Sequence, residues 1–72
     1  GASEARALRA KALLDDGRAE EAAAEIRQAL TELPEPQRRP VFVHILDEAL
    51  RTLDRTAEAD ACWAEYGLDR PE

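Results

Sequence analysis

Glycine and proline divide this chain into segments that are each the length of a short helix. Gly17 and Gly67 stand where a left-handed residue can close a helix. Pro34 disfavours helical geometry at the residue before it, and Pro40 suits the first turn of a helix. Between them alanine, leucine, glutamate and arginine dominate, all good helix formers. The pattern predicts an all-α fold of four short helices.

Apolar residues recur at helical spacing within each segment. The third predicted helix has the clearest stripe, made of Phe42, Ile45, Leu46, Ala49, Leu50 and Leu53. The second predicted helix carries an apolar stripe of Ala19, Ala22, Ala23, Ile26, Leu30 and Leu33. The first carries a shallow apolar face of Ala7, Leu8, Ala10, Leu13 and Leu14, and the fourth a face of Ala59, Cys62, Trp63 and Tyr66.

The four helices are predicted to form two antiparallel hairpins in one small domain, residues 1–72. Hairpin one covers residues 3–33, a connector covers 34–39, and hairpin two covers 40–67. The connections inside the hairpins are only a few residues long, which places consecutive helices side by side and antiparallel. Ser3 is predicted to cap the first helix, and Asp54 or Thr56 the fourth.

The core of such a domain is thin. Hydrophobic residues make up 44% of the chain, but 15 of them are alanine. A domain of this length buries only roughly 60% of the surface that its unfolded chain exposes. We therefore expect marginal stability, or stabilisation by a protein partner or a second copy of the chain.

Charge and composition disfavour several classes of partner. Sixteen acidic against ten basic residues give a net charge of −6, which opposes binding to nucleic acid or anionic lipid. No stretch approaches the roughly 20 apolar residues of a membrane span. Cys62 is the single cysteine, which fits a reducing compartment. We expect no nucleic-acid or membrane partner, and a cytoplasmic location.

The sequence offers no set of residues typical of an enzyme. His44 is the only histidine and lacks a second ligand at metal-binding spacing; its neighbour at i+4 is Glu48, which predicts an exposed pair. Cys62 lies on a predicted buried face, where a thiol behaves as a small hydrophobe. There is no glycine-rich phosphate loop and no Ser-His-Asp set. A non-enzymatic protein without metal or cofactor is predicted.

The chain also repeats itself. A shift of 37 residues aligns both hairpin turns and both closing prolines, with matches at Ala12 and Ala49, Leu13 and Leu50, Arg18 and Arg55, Glu21 and Glu58, and Pro34 and Pro71. Residues 13–22, continuing through Ile26, Ala29 and Leu33 to Pro34, resemble the second half of a tetratricopeptide (TPR) repeat. In the second copy Asp54 replaces the turn glycine and Trp63 takes the large position. Arg6 and Arg9 depart from the family, which has large apolar residues there.

The TPR resemblance implies a protein–protein interaction module. In that family the first helix of each hairpin lines a concave groove that binds a peptide or helix of a partner. The positions that would line it here are Ala7, Lys11, Leu14, Val41, His44, Glu48 and Arg51. The chain contains no asparagine, so the Lys and Asn clamp that some members use for a C-terminal carboxylate is absent.

A compact four-helix bundle is the alternative. It would be a docking or dimerisation domain that joins subunits of a larger multienzyme or multiprotein assembly through an outer helix face, with a homodimer as one form. The residues assigned to this interface are Arg38, Arg39, Trp63 and Tyr66. The sequence leaves open whether Trp63 and Tyr66 lie in the core or at the interface.

Overall fold

A computed structural model describes residues 2–32 and 36–71. Its elements are α1 (Ala2–Asp15), α2 (Ala19–Thr31), a 3₁₀ turn (Pro36–Arg38), α3 (Arg39–Thr52) and α4 (Thr56–Glu65). Within these ranges there is no β-strand. The predicted all-α fold with four short helices is confirmed. Leu33 and Pro34, predicted to end the second stripe and begin the connector, lie outside the described residues.

Both helix pairs are antiparallel hairpins, as predicted. In the first, Arg6 near the start of α1 donates to Glu32 just beyond α2, with Nε and Oε1 3.1 Å apart. In the second, Arg51 of α3 donates to Asp60 of α4, while Asp47, one turn earlier in α3, accepts from Trp63, which lies later in α4. A contact between the start of one helix and the end of the next requires antiparallel directions, and so do partners that move backward along one helix and forward along the other.

The helices pack in an open series. Each helix contacts the next along the chain, and α3 additionally contacts α1. Within the described ranges α1 and α4 do not meet. The Cα atoms extend over 30 × 28 × 17 Å, and the shortest extent fits two helix layers at an interaxial distance of 8–10 Å. The central position therefore belongs to α3, which is the most extensively buried helix.

One core cluster runs through the four helices. Its residues are Ala7, Ala10, Ala22, Ala23, Ile26, Ala29, Leu30, Phe42, Val43, Ile45, Leu46, Ala49, Leu50, Ala59, Cys62 and Trp63. Ala19 is buried as well, so the predicted stripe of α2 is confirmed as far as Leu30. Leu53 lies just after α3 and is only half-buried.

Leu8 does not join this core, although the sequence places it on the apolar face of α1. Its side chain is 72% exposed. The reason is geometric, because α1 packs through Ala7 and Ala10, and the next residue along a helix is rotated by about 100°. Two alanines allow close contact with α2 but leave Leu8 directed away from it.

The two hairpin turns have the same geometry. Gly17 and Asp54 both adopt positive φ, +80° and +63°. In each turn the amide of the following arginine donates to a leucine carbonyl, Arg18 to Leu13 and Arg55 to Leu50, both at 2.8 Å. This is the Schellman arrangement that closes a helix. The equivalence of the two turns under the 37-residue shift is confirmed.

The predicted N-terminal caps are wrong. Helix α1 begins at Ala2, so Ser3 is already a helical residue. Asp54 is the turn residue with left-handed backbone geometry, two residues before the start of α4, and Thr56 is already the first residue of α4. The residue before α4 is Arg55, which forms no side-chain cap. The Schellman turn satisfies the preceding helix and leaves too few residues for a separate cap.

Substitution of Asp54, the residue with positive φ in the second turn, tests whether backbone strain at that position lowers stability. Asp54→Gly is expected to raise the free energy of unfolding by about 0.5 kcal/mol, because glycine adopts positive φ without a Cβ clash. Gly17→Ala is expected to lower it by about 1 kcal/mol, since nothing but backbone strain opposes the added methyl. Urea denaturation followed by circular dichroism measures both.

The matched control introduces the same residue inside a helix. Ala24→Gly, at an exposed position of α2, is expected to cost about 1 kcal/mol. If Asp54→Gly destabilises the domain to the same extent as Ala24→Gly, the proposed role of the turn is wrong.

Candidate functional site

An apolar cleft lies between α1 and α3. It has a volume of about 320 Å³ and is lined by Glu4, Ala7, Leu8, Lys11, Arg38, Val41, Phe42 and Ile45. The lining residues of α1 follow the spacing i, i+3, i+4 and i+7, and those of α3 are Val41, Phe42 and Ile45, so each set occupies one face of its helix. Arg38 is contributed by the 3₁₀ turn. We call this the α1–α3 cleft.

Its floor is buried and its walls are exposed. Phe42 and Ile45 form part of the core, with 3% and 8% of their surface accessible. Leu8 and Val41 rise beside them with 72% and 59% accessible, and they are the large hydrophobic residues left exposed in the described part of the chain. A cleft of this volume with apolar walls and a few charged groups at its edge is a candidate binding site.

Charged side chains of both signs surround the cleft. Arg38 Nη1 lies 2.9 Å from Glu4 Oε1, so this ion pair joins the 3₁₀ turn to α1. Lys11, one turn after Leu8, forms no ion pair with any residue in the two described ranges. The edge of the cleft therefore presents a carboxylate and a guanidinium that are paired with each other, and one ammonium group that has no ion-pair partner among the described residues.

The structure brings together only part of the set predicted from the TPR resemblance. Ala7, Lys11 and Val41 line the α1–α3 cleft. Leu14 is half-buried against the core. The remaining three lie elsewhere along α3: His44 and Glu48 form an exposed pair at 3.1 Å, and Arg51 faces α4.

Sequence reasoning missed Glu4, Leu8, Phe42 and Ile45 as lining residues. Leu8 lies off the Ala7, Ala10 and Leu14 stripe and is followed by Lys11 at i+3, but this pattern shows only that Leu8 can be exposed, not that it borders a cleft. Phe42 and Ile45 give no such signal, since a residue on the floor of a cleft has the same pattern as any core residue.

A polar network on the other side of α3 centres on Asp47, which the sequence analysis also missed. Asp47 is buried, with 9% of its surface accessible. Its carboxylate accepts from Trp63 Nε1 at 2.7 Å and from Arg51 Nε at 2.6 Å. Burial alone would raise the pKa of Asp47, but the hydrogen bonds from Arg51 and Trp63 outweigh it and the pKa is lowered.

The network extends to the end of the described chain. Arg51 Nη2 donates to Asp60 Oδ1 at 2.6 Å, and Arg70 donates to the same oxygen. The hydrogen bond from Arg51 lowers the pKa of Asp60.

A second cleft of about 400 Å³ is lined by His44, Asp47, Arg51, Trp63, Arg70 and Pro71. Its two arginines and the Asp47 carboxylate are engaged in ion pairs, so the network fastens Arg70 to α3 and α4.

The residues assigned to the alternative interface occupy different environments. Trp63 is 5% exposed and belongs to the core. Tyr66 is half-buried, and its hydroxyl accepts from Arg27 Nη1 at 3.1 Å. Arg38 pairs with Glu4, as described above, and Arg39 is half-buried at the start of α3. The ring of Trp63 therefore packs inside the domain, whereas Tyr66, just after α4, keeps part of its surface exposed.

Cys62 is enclosed by the same helices. It has no accessible surface, and its Sγ lies 3.1 Å from the carbonyl oxygen of Ala59. Burial, followed by the nearby Asp47 carboxylate, raises the pKa of the thiol to about 11. A protonated and enclosed thiol is a poor nucleophile at neutral pH.

Three further observations concern ligands, membranes and relatives. Residues 2–32 and 36–71 contain no group of three His, Cys, Asp or Glu side chains that could hold a metal ion. In the same ranges, no helix combines the length and apolarity needed to cross a bilayer.

No protein-family model matches the sequence, and neither a curated protein nor a solved structure matches it.

The Asp47 network predicts a defined pH dependence of stability. The pKa of Asp47 is lower in the folded than in the unfolded state, so its ionisation stabilises the fold above about pH 4 and this contribution is lost as the pH falls through the folded pKa. Asp47→Asn is expected to lower the free energy of unfolding by about 2 kcal/mol at pH 7, because the amide cannot accept from both donors. Urea denaturation between pH 2.5 and 7 should show the difference shrink below pH 4.

Asp60→Asn provides the control. Asp60 accepts from the same arginine but is exposed, so a smaller loss is expected. A loss for Asp47→Asn that is as large at pH 2.5 as at pH 7 would contradict the role of its charge.

The environment of Cys62 predicts slow thiol chemistry. At pH 8 the native protein is expected to react with a disulfide reagent such as DTNB at least about 100-fold more slowly than the urea-unfolded chain, because the thiol is enclosed and its pKa is raised. The control is Ala61→Cys with Cys62→Ala, which moves the thiol to an exposed neighbouring position. Equal rates for the native protein and this variant would show that Cys62 is accessible.

Proposed function

We propose that this chain is a non-enzymatic, TPR-like protein–protein interaction module, and that its α1–α3 cleft binds a helix or peptide of a partner protein. The observation that carries the proposal is that Leu8 and Val41 stand exposed on the two sides of an apolar cleft, while the other large hydrophobic residues of the described ranges are buried or half-buried. A cytoplasmic location belongs to the same proposal.

The exposed side chains supply a driving force for binding. Burying a leucine or valine fully against a partner contributes roughly 1.5–3 kcal/mol each. The floor formed by Phe42 and Ile45 is already held in the core, so little ordering of the receptor is needed when a ligand binds. The cleft is thus suited to one or two apolar anchor residues of a helix, the usual mode of helix-in-groove recognition.

The edge of the cleft favours a ligand with charges of both signs. A strongly acidic ligand would meet Glu4, and a strongly basic one would meet Lys11 and Arg38. Opposite charges placed across an interface mainly determine orientation and partner choice. We therefore expect an amphipathic helix with mixed charges beside its apolar anchor.

A docking or dimerisation domain is the second candidate. The observation that favours it is the open packing of the helices, in which α1 is at one end of the series and has a free outer side. Because Trp63, one of the four residues predicted for its interface with Arg38, Arg39 and Tyr66, is buried, we propose α1 and α3 as the interface of this candidate. Both candidates then use the same exposed surface and differ in the ligand.

NMR with a defined probe tests the proposed binding surface. The probe is a synthetic amphipathic peptide of about four helical turns, with leucines at i, i+3, i+4 and i+7 and mixed flanking charges. Adding it to dilute ¹⁵N-labelled protein is expected to shift amide signals of α1 and α3, including Leu8 and Val41, and to leave those of α4 unchanged. Leu8→Glu is expected to weaken binding at least about tenfold, because a carboxylate replaces the apolar wall.

The matched control is Ala61→Glu, which adds the same charge at an exposed position of α4. It is expected to bind like the wild type. Shifts centred on α4, or equal loss of binding in both variants, would refute the proposed site, and circular dichroism confirms that each variant is folded.

A further inference from the structure

The two charged residues of α1 that line the cleft, Glu4 and Lys11, are complementary to the same two residues on a helix that runs in the opposite direction. Glu4 and Lys11 lie at equal distances along the sequence from the midpoint between Ala7 and Leu8. If two copies of α1 lie antiparallel with these midpoints opposed, Glu4 of each copy faces Lys11 of the other. Such mutual pairing is what a two-fold symmetric interface requires.

The apolar surface has the same self-complementary character. Leu8 protrudes from α1 with 72% of its surface exposed, and the α1–α3 cleft opens directly beside it. If a two-fold axis passes near Leu8, the protruding side chain of each copy would reach the cleft of the other, which Val41 also lines. A single two-fold rotation would therefore bury the protruding Leu8 side chain and fill the α1–α3 cleft of each copy.

The local charge permits this association although the whole chain carries −6. The cleft has one carboxylate, Glu4, and two cationic groups, Lys11 and Arg38. The excess of negative charge is thus located on other surfaces. Lys11, which forms no ion pair among the described residues, would gain one from Glu4 of the second copy.

We infer that the helix bound by the α1–α3 cleft is α1 of a second copy, so that the chain forms a two-fold symmetric dimer with antiparallel α1 helices. The inference rests on the proposed function and names its partner. The dimer buries Leu8 and Val41 in both copies and contains two Glu4–Lys11 ion pairs between copies.

Exchange of the two charges tests the pairing directly. Lys11→Glu places two carboxylates opposite Glu4 residues, and Glu4→Lys places ammonium groups opposite each other. Each variant alone is expected to dimerise at least about tenfold more weakly than the wild type. An equimolar mixture of the two variants is expected to recover dimerisation, because every pair across the interface is then of opposite sign. Sedimentation equilibrium over a concentration series measures all four samples.

Controls separate this pairing from general charge effects. Arg55→Glu and Glu20→Lys make the same changes in net charge at exposed positions outside α1, and both are expected to dimerise like the wild type. A wild-type chain that stays monomeric at millimolar concentration overturns the inference. So does a mixture of the two α1 variants that remains monomeric while circular dichroism shows both to be folded.

Failure of the inference is distinguishable from failure of the proposed function. Leu8→Glu is expected to be monomeric, and a dimer that survives this substitution shows that the copies associate through another surface. If the wild type is monomeric but the synthetic peptide still shifts α1 and α3, the cleft binds a helix of a different protein. If neither the peptide nor a second copy binds there, both proposals are wrong.

Discussion

The burial of α3 is the constraint on which the rest of the structure depends. This helix contacts each of the other three, whereas α1 and α4 do not meet within the described ranges. It also contributes several of the larger core side chains, among them Phe42, Leu46 and Leu50. Much of the remaining core is alanine, which allows helices to approach closely but fills little space. The positions of α2 and α4 are therefore determined mainly by the surface that α3 presents to them, whereas α1 packs chiefly against α2.

Asp47 shows how this central helix also specifies its neighbour. A buried carboxylate is costly unless its oxygens are hydrogen-bonded, and here Arg51 and Trp63 supply the donors. Because the indole nitrogen of Trp63 must reach Asp47, α4 can pack against α3 in one register. A fully satisfied polar network of this kind favours a unique arrangement of packed helices. The α3–α4 hairpin is thereby fixed on the side of α3 that faces away from the α1–α3 cleft.

The sequence predicts those structural features that depend on residues close together along the chain. The four helices, their antiparallel pairing and the equivalent turns at Gly17 and Asp54 follow from spacing and short connections. The positions of Leu8 and Asp47 could not be predicted in this way, because each depends on which helix packs beside it. Ala7 and Leu8 are adjacent apolar residues, and only the contact with α2 determines which is buried. The TPR-like character and the binding role remain predictions from resemblance and from the exposed surface.

The shallow packing of α1 has a consequence for the dynamics of the domain. Only Ala7 and Ala10 of this helix are buried, with Leu13 and Leu14 half-buried, so its separation from the other helices withdraws fewer buried side chains from the core than the loss of α3 would. Native-state hydrogen exchange should accordingly find the amides of α1 opening at a lower free energy than those of α3. Any ligand that covers α1 slows this local opening, so occupancy of the surface is coupled to the order of the N-terminal helix.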